Sequence, residues 1–469
     1  MGDLTTRLLV LGGGPGGYTA AARAGQLGVD TVLVEQGSLG GTCLNVGCIP
    51  SKALIHVAAE YARAAEAARA SPFGLRAGVP SLDLGRAVAW KDGVVGRLNG
   101  GVATLLKGAG VRTVQGRAAM LDGKTCRVGT DTGPQTIRAE HVLLATGSEA
   151  MELPALPFGG RVVSSTGALS LPEVPARLAV VGAGYIGVEL GMAYARLGSR
   201  VTVLEVAERI LPGWDADLSR PVLRAMERLG MEALTGTEAR GPAPDGNGLR
   251  AASDGAERVI PADVVLVAVG RRPCTRGFGL EALDLAMDGP CVRVDARCAT
   301  SMRNVWAIGD VTGGPMLAHR AIAQGQMVAE IIAGQRRAFD RVAIPAICYT
   351  DPEVVIVGLS PAEARKAVQE ILVGQCPFTA SGRALTEAAE EGFVRVVARA
   401  DNHLLLGLQA VGAGVAELSA GFALALEMGA RLEDIAGTVH AHPTRGEALQ
   451  EAALRAVGTG LHGAAAPVR

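Results

Sequence analysis

The chain has 469 residues, with 45 Lys or Arg against 46 Asp or Glu and a formal net charge of -1. That length suggests about three domains, and a near-neutral balance without blocks of like charge gives no support to a nucleic-acid or anionic-membrane surface. Sixty-four glycines in a chain that is 49% hydrophobic and 3% aromatic argue for many tight strand-to-helix turns rather than disorder or collagen.

Met1 leads almost at once into an apolar strand, Leu8–Leu11, with no cleavage site, so no signal peptide is expected. The strand runs into Gly12, Gly14 and Gly17 in G-x-G-x-x-G spacing. Tyr18–Leu27 reads as a helix, and Asp30–Val34 as a strand closing on Glu35. Glycines let the backbone turn and approach a pyrophosphate, the helix N-terminus offers free N–H groups, and the acid accepts from ribose hydroxyls. In this order the pattern reads as a dinucleotide site. Ala53–Ala70 is helical, 71–80 is loop, and Leu82–Lys107 reads as a helix weakened by Gly93, Gly96, Gly100 and Gly101. Val111–Val114 and the Cys126–Gly129 region are strands, and His141–Ala145 is a buried strand leading into Thr146, Gly147 and Ser148.

The pattern then recurs. Leu178–Val181 is a strand, Gly182, Gly184 and Gly187 repeat the fingerprint, and Arg200–Leu204 closes on Glu205. The separation from first glycine to acid is 23 in both copies. The second unit closes at Val264–Val269 and Gly270, as the first closes before Gly147. The apolar stretch 178–195 is interrupted by Glu189 and is not a membrane span. After Trp306–Asp310 and a helix over Leu317–Ala333, the character changes near Ile344. Apolar segments at Glu353–Val357, Ala367–Val373, Phe393–Ala398 and Leu404–Ala410 suggest an antiparallel sheet, with helices at Val415–Met428 and Arg445–Val457. The fold class is thus α/β with two Rossmann-like dinucleotide-binding domains and a C-terminal α+β domain. The glycine- and alanine-rich tail after Gly458 is expected to be mobile.

Six of the eight cysteines show no framework spacing and suit small buried hydrophobes. Cys43 and Cys48 lie within Gly40–Lys52, five positions apart. A metal pair is one reading, but no second Cys or His pair at zinc spacing lies nearby. As a redox pair they are placed by Pro50 around a helix N-terminal turn, where the dipole favours thiolate. Such a pair fits a reducing, cytoplasmic setting. Lys52, four positions after Cys48, shares its helical face. His442 precedes a proline and should be extended. Glu447 has two readings: the acid of a capping box with Thr444, or a partner of His442.

Taken together, these motifs identify the chain as resembling the flavoprotein disulfide reductases with two dinucleotide-binding domains, and among them those that oxidise dihydrolipoamide. The resemblance rests on Gly40–Lys52, both fingerprints, Ala307–Asp310 with Gly314–His319, Tyr349–Glu353, and His440–Thr444 with Glu447. It implies an FAD-binding domain over 1–149, an NAD-binding domain over 150–272, a central domain over 273–343 and an interface domain over 344–469, in a homodimer with shared active sites. It implies FAD contacts from Gly12, Gly14, Gly17, Glu35, Thr42, Lys52, Gly116, Thr146, Gly147, Ser148, Asp310, Met316, Leu317, Ala318 and His319. NAD is expected at Gly182, Gly184, Gly187, Glu205 and Gly270, with Glu189 pairing Lys52. Glu205 favours NAD over NADP, because an acid accepts from the ribose 2′-hydroxyl and repels a phosphate there.

The same resemblance makes Cys48 the flavin-side thiolate and Cys43 the outer sulfur that meets substrate. His442, held by Glu447, becomes the base. The substrate is a lipoyl group on a separate carrier protein, within a 2-oxo acid dehydrogenase-type complex; no metal, nucleic acid or membrane is implied. Glutathione-type reductases usually carry Lys where Ser51 stands, and mercuric reductases carry C-terminal cysteines that His462–Arg469 lacks. Two departures stand out: Ala321–Gly325 replaces a more acidic segment, and Arg445-Gly446 replaces Leu-Ser. Gly446 should weaken the start of the last helix by up to ~1 kcal/mol relative to Ala.

Overall fold

The structure, a computed structural model, describes residues 3–69, 71–368 and 370–462. The chain folds as two compact units, Met1–Val174 with Val267–Asp340, and Pro175–Leu266 with Arg341–Arg469.

In the first unit, Leu4–Leu11 is the central strand. Leu8 to Leu11 pair in parallel with Thr31 to Val34 on one side and with His141 to Leu144 on the other. Arg112–Gln115 extends the sheet beyond Thr31–Glu35, and Val305–Ala307 pairs in parallel with Val142 to Leu144. Strand alternation splits the apolar side chains between two cores. Leu8, Val10, Leu33 and Leu143 join Ala20, Ala24, Val328 and Ile332 on one face, whereas Leu9, Leu11, Val34 and Leu144 pack with Leu280, Val292 and Val311 on the other. Helix Pro15–Gln26 lies against helix Ala318–Ile332. Gly325 permits that approach: a Cβ there would stand 2.4 Å from the Gly16 carbonyl oxygen.

The second unit repeats the parallel arrangement, with strands in the order Glu232–Leu234, Arg200–Leu204, Arg177–Val181 and Val264–Val267. It adds an antiparallel ribbon of Glu238–Pro242, Gly248–Ser253 and Ala256–Pro261, whose small and charged residues give little alternation in the sequence. The rest is a five-stranded antiparallel sheet ordered Ala346–Cys348, Glu353–Gly358, Leu405–Gly412, Phe393–Arg399 and Ile371–Pro377. Helices Ser419–Glu427 and Glu447–Ala456 share its core through Phe422, Leu426, Ala448 and Ala452.

One expectation holds and one is corrected. The helix over 82–107 runs unbroken from Leu84 to Gly108, started by the Asp83 carboxylate accepting from Arg86 N at 3.0 Å. Its four central glycines meet nothing within 4 Å of an added Cβ. Ala367–Val373 is not one strand. Pro361–Ala367 is a helix with a complete Ser360/Glu363 capping box, and the strand starts at Ile371.

Candidate active site

Cys43 sits in the short helix Gly41–Val46, and Cys48 opens the long helix Cys48–Arg69. Gly47, at φ -140° and ψ -111°, breaks one from the other. Pro50 is the third residue of the long helix. Its missing N–H has no intrahelical acceptor there, so the helix starts undisturbed. Asn99 braces the turn from outside, donating to Leu39 O at 2.6 Å and to Asn45 Oδ1 at 3.1 Å. Asn45 in turn donates to Leu39 O and Gly41 O.

The two cysteines are not joined as a disulfide here. Cys43 is half-buried and Cys48 exposed. Cys43 meets Cys48 at the start of the long helix. The hydrogen bond to the Cys48 side chain and then burial push the Cys43 thiol well above its ordinary range, against the Cys48 N–H and the Lys52 charge, which pull it down. In the reduced pair Cys43 therefore holds its proton.

The fingerprints explain the glycines physically. Gly12 and Gly182 take φ of +100° and +102°. A Cβ on Gly17 would stand 1.9 Å from Gly12 O, and one on Gly187 2.1 Å from Gly182 O. Gly14, by contrast, faces open space, its nearest neighbour being Gly41 Cα at 3.9 Å. Neither Gly14 nor Gly184 offers a side-chain cap, so helix N–H groups remain for an anion. Glu35 closes the first copy, accepting from Gly13 N at 2.6 Å and Gly37 N at 2.7 Å. Glu205 closes the second in the same manner, accepting from Ala183 N at 2.7 Å and Ala207 N at 2.9 Å.

A cavity of about 810 Å³ in the first unit is lined by Gly12, Glu35, Gly116, Thr146, Arg272 and Cys274, among others. Beside Thr146 runs a polar chain. Arg271 donates from Nε to Ser148 Oγ at 2.8 Å and from Nη2 to Ser148 O at 2.6 Å, and the Ser148 hydroxyl donates to Asp310 Oδ2. Because the guanidinium fills the hydroxyl's acceptor side, its hydrogen is directed at Asp310. A nearby uncapped helix N-terminus, an acid at the strand end and an Asp310 held by the Ser148 hydroxyl fit an adenine dinucleotide with a polyol chain, which is the shape of FAD. Met316, Leu317 and Ala318 are half-buried and His319 exposed at the start of helix Ala318–Ile332. Gln324, in the atypical segment, is 3% exposed, and its Oε1 accepts from Gly309 N at 2.8 Å. A neutral amide thus does there what a carboxylate acceptor would do. Thr42 is exposed and Lys52 half-buried.

In the second unit, Glu189 is 3% exposed, and its carboxylate accepts from Tyr349 N at 2.8 Å. Gly270, exposed, follows the strand Val264–Val267 and belongs to the first unit. His442 stands 79% exposed, with Nδ1 at 2.8 Å from Glu447 Oε1. The other carboxylate oxygen accepts from Thr444 N at 2.7 Å. The two sequence readings of Glu447 therefore coexist, one oxygen each. The capping box is only half made, since the Thr444 hydroxyl donates to Ala441 O instead. Burial raises the Glu447 pKa, but the Thr444 N–H and His442 outweigh it, and the net shift is downward. With Nδ1 directed at a carboxylate, the neutral imidazole presents Nε2 as a free base. Gly446 precedes the helix Glu447–Ala456 at φ -62° and ψ -28°. Its flexibility therefore costs less than an interior position would.

Asn45, Asn99, Arg271, Arg272 and Cys274 were not singled out in the sequence. Only Gly270-Arg271-Arg272-Pro273, standing where the second parallel sheet ends, offered a signal. Among the described residues no three His, Cys, Asp or Glu side chains converge as a metal-binding group, and no helix is long and apolar enough to cross a membrane.

The chain belongs to the pyridine nucleotide-disulphide oxidoreductases: that family's model matches residues 6–325, and the model of its dimerisation domain matches residues 344–453. It is 61% identical to the dihydrolipoyl dehydrogenase of Pseudomonas aeruginosa over 460 residues, 98% of this chain and 99% of that protein. It is 47% identical to dihydrolipoyl dehydrogenase 2 of Haloarcula marismortui, over 98% and 99% of the two. Among solved structures, LpdA from Mycobacterium tuberculosis superposes with a TM-score of 0.88 at 25% identity, covering 96% of this chain and 99% of that one. The HOCl-induced flavoprotein disulfide reductase RclA from Escherichia coli superposes with a TM-score of 0.84 at 26% identity, covering 95% and 99%.

Proposed function

We infer that this chain oxidises dihydrolipoamide to lipoamide with NAD+, as the lipoyl-regenerating component of a 2-oxo acid dehydrogenase-type complex. The observation that carries the reading is a dithiol pair at a helix start in the same chain as an exposed imidazole oriented by a carboxylate. The identity to dihydrolipoyl dehydrogenases over nearly the whole chain supports it. Substrate arrives on a separate lipoyl carrier, and a homodimer brings His442 of one copy to the thiol pair of the other. Two reactive thiols suit a reducing cytoplasm.

Catalysis starts from the Cys43–Cys48 disulfide. Nε2 of His442 takes the proton of one substrate thiol. The thiolate attacks Sγ of Cys43, the Cys43–Cys48 bond breaks, and Cys48 leaves as thiolate. The second substrate thiol, deprotonated in turn, attacks the substrate sulfur of the mixed disulfide. Lipoamide leaves, and Cys43 recovers a proton, which its raised pKa favours. Glu447 fixes the imidazole tautomer and balances its charge when protonated. Glu35, the Gly14 helix start and the Arg271–Ser148–Asp310 chain would hold FAD, and Glu205 with the Gly184 helix start would hold NAD. When bound, FAD accepts the electron pair of the dithiol and delivers it as hydride to NAD+.

The test is steady-state turnover of purified protein with dihydrolipoamide and NAD+, set against glutathione disulfide and NADPH. Turnover in the first pair is expected; turnover only in the second overturns the reading.

A further inference from the structure

The second unit holds a cavity that the redox chemistry does not use. Its volume is about 480 Å³. One wall is the first turns of helix Ala216–Arg228, entered through Asp215. Facing it are strands Ile371–Pro377 and Phe393–Arg399 with helix Pro361–Ala367 beside them. Four arginines line it, Arg220, Arg224, Arg365 and Arg395, against two acids, Asp215 and Asp217.

Burial separates their roles. Arg395 is 5% exposed, and it meets Asp215 at 2.9 Å and Asp217 at 3.2 Å. Its Nε donates to Gln409 at 2.8 Å, and its guanidinium lies 5.4 Å from the centre of the Phe393 ring. It is the fixed floor of the cavity, already balanced. The other three arginines are exposed at the rim. Arg220 shares Asp217, and Arg224 shares Glu391 with Arg228. With that pair included, five guanidiniums stand against three carboxylates. Arginines thus outnumber carboxylates among these side chains, around a concave site whose other walls are Pro221, Pro361, Val373 and Phe393.

We propose that this cavity binds a small phosphate-bearing organic anion. Guanidinium forks match phosphate oxygens bidentately. The volume falls in the range of small-molecule sites, and the apolar walls suit an organic body attached to the phosphate. The site spans the NAD-binding sheet's helix and the antiparallel sheet of the same unit, so an occupant stabilises their packing. None of this depends on the identity of the thiol substrate.

The test uses the full FAD-loaded chain with NAD+ saturating, so that the second fingerprint is occupied. Equilibrium dialysis against labelled ribose 5-phosphate, with labelled ribose in parallel, reads binding directly. One saturable site per chain is expected for the phosphate, weakening as salt rises, and none for ribose. Arg220→Ser with Arg365→Ser should weaken it about tenfold. Arg365→Glu alone should do at least as much, and Arg240→Ser, outside the cavity, should leave it unchanged. Flavin content and melting temperature confirm that each variant folds. Absence of saturable phosphate binding, equal binding of ribose, or affinity unaltered in the double variant and in Arg365→Glu overturns the proposal.

Discussion

Replacing Glu447 by Gln removes one charge and forces a choice. The carboxylate serves two partners, one oxygen to His442 Nδ1 at 2.8 Å and one to Thr444 N at 2.7 Å. An amide has a single acceptor oxygen. If it goes to the Thr444 N–H, the NH2 group faces Nδ1, and the imidazole must place its proton on Nε2. That is the wrong tautomer for a base. A hydrogen bond to a charged group contributes roughly 1.5–3 kcal/mol. His442 is 79% exposed and Glu447 33%, so solvent screening puts the effect at the low end, about 1–2 kcal/mol. The predicted loss is about 5- to 30-fold in kcat/KM for dihydrolipoamide. Reduction of the bound flavin by NADH, which needs no imidazole, should keep its wild-type rate. Dihydrolipoamide turnover within about twofold of wild type would refute the reasoning. So would an equal loss in both half-reactions, which would make Glu447 a fold residue.

The glycines of the first fingerprint should separate by role. Gly17→Ala drives a Cβ to 1.9 Å from Gly12 O and should prevent stable folding, read as lost soluble yield and a collapsed melting temperature. Gly14→Ala meets no neighbour closer than 3.9 Å and should fold but release flavin, read by its absorbance. Ser148→Ala should raise the FAD dissociation constant about 5- to 30-fold through loss of roughly 1–2 kcal/mol, measured by reconstitution of apoprotein, and Arg271→Leu should add little to it because both act through Asp310. Gly446 sits at a φ open to any residue with its nearest outside atom at 3.5 Å, so Gly446→Ala should raise stability by about 0.4–1 kcal/mol at unchanged turnover. Glu447 has its folded pKa depressed, so its contribution is full above the ordinary glutamate pKa of ~4.3. It is lost as pH falls through the lower folded value. The melting-temperature gap between wild type and Glu447→Gln should therefore close below that range.

Where geometry leaves one residue type possible, the sequence was readable. Gly17 and Gly187 sit where any Cβ would overlap a carbonyl, and Glu35 and Glu205 close strands at the same offset with the same pair of backbone partners. The cysteine stretch was readable for a related reason, as Pro50 is excluded from a helix interior but accepted in its first turn. Contacts far apart in sequence were not. Asn99 braces Leu39 from 60 positions away, and Arg271 reaches Ser148 across 123. The helix Pro361–Ala367 was missed although Ser360 and Glu363 form the capping box that announces it; the apolar run beyond it drew the strand reading too far back. The contact between Cys43 and Cys48 was also hidden, because it depends on how the short helix Gly41–Val46 meets the long helix Cys48–Arg69 at Gly47.

Dihydrolipoamide oxidation depends most directly on the thiol pair. Cys43→Ser leaves Cys48 without a partner to form or open a disulfide, while the FAD-holding residues remain intact. In an assay of dihydrolipoamide with NAD+, the variant should retain flavin and the melting temperature of wild type, and NADH formation should fall to background. NADH formation at a rate near wild type in a flavin-replete Cys43→Ser protein would contradict the central claim.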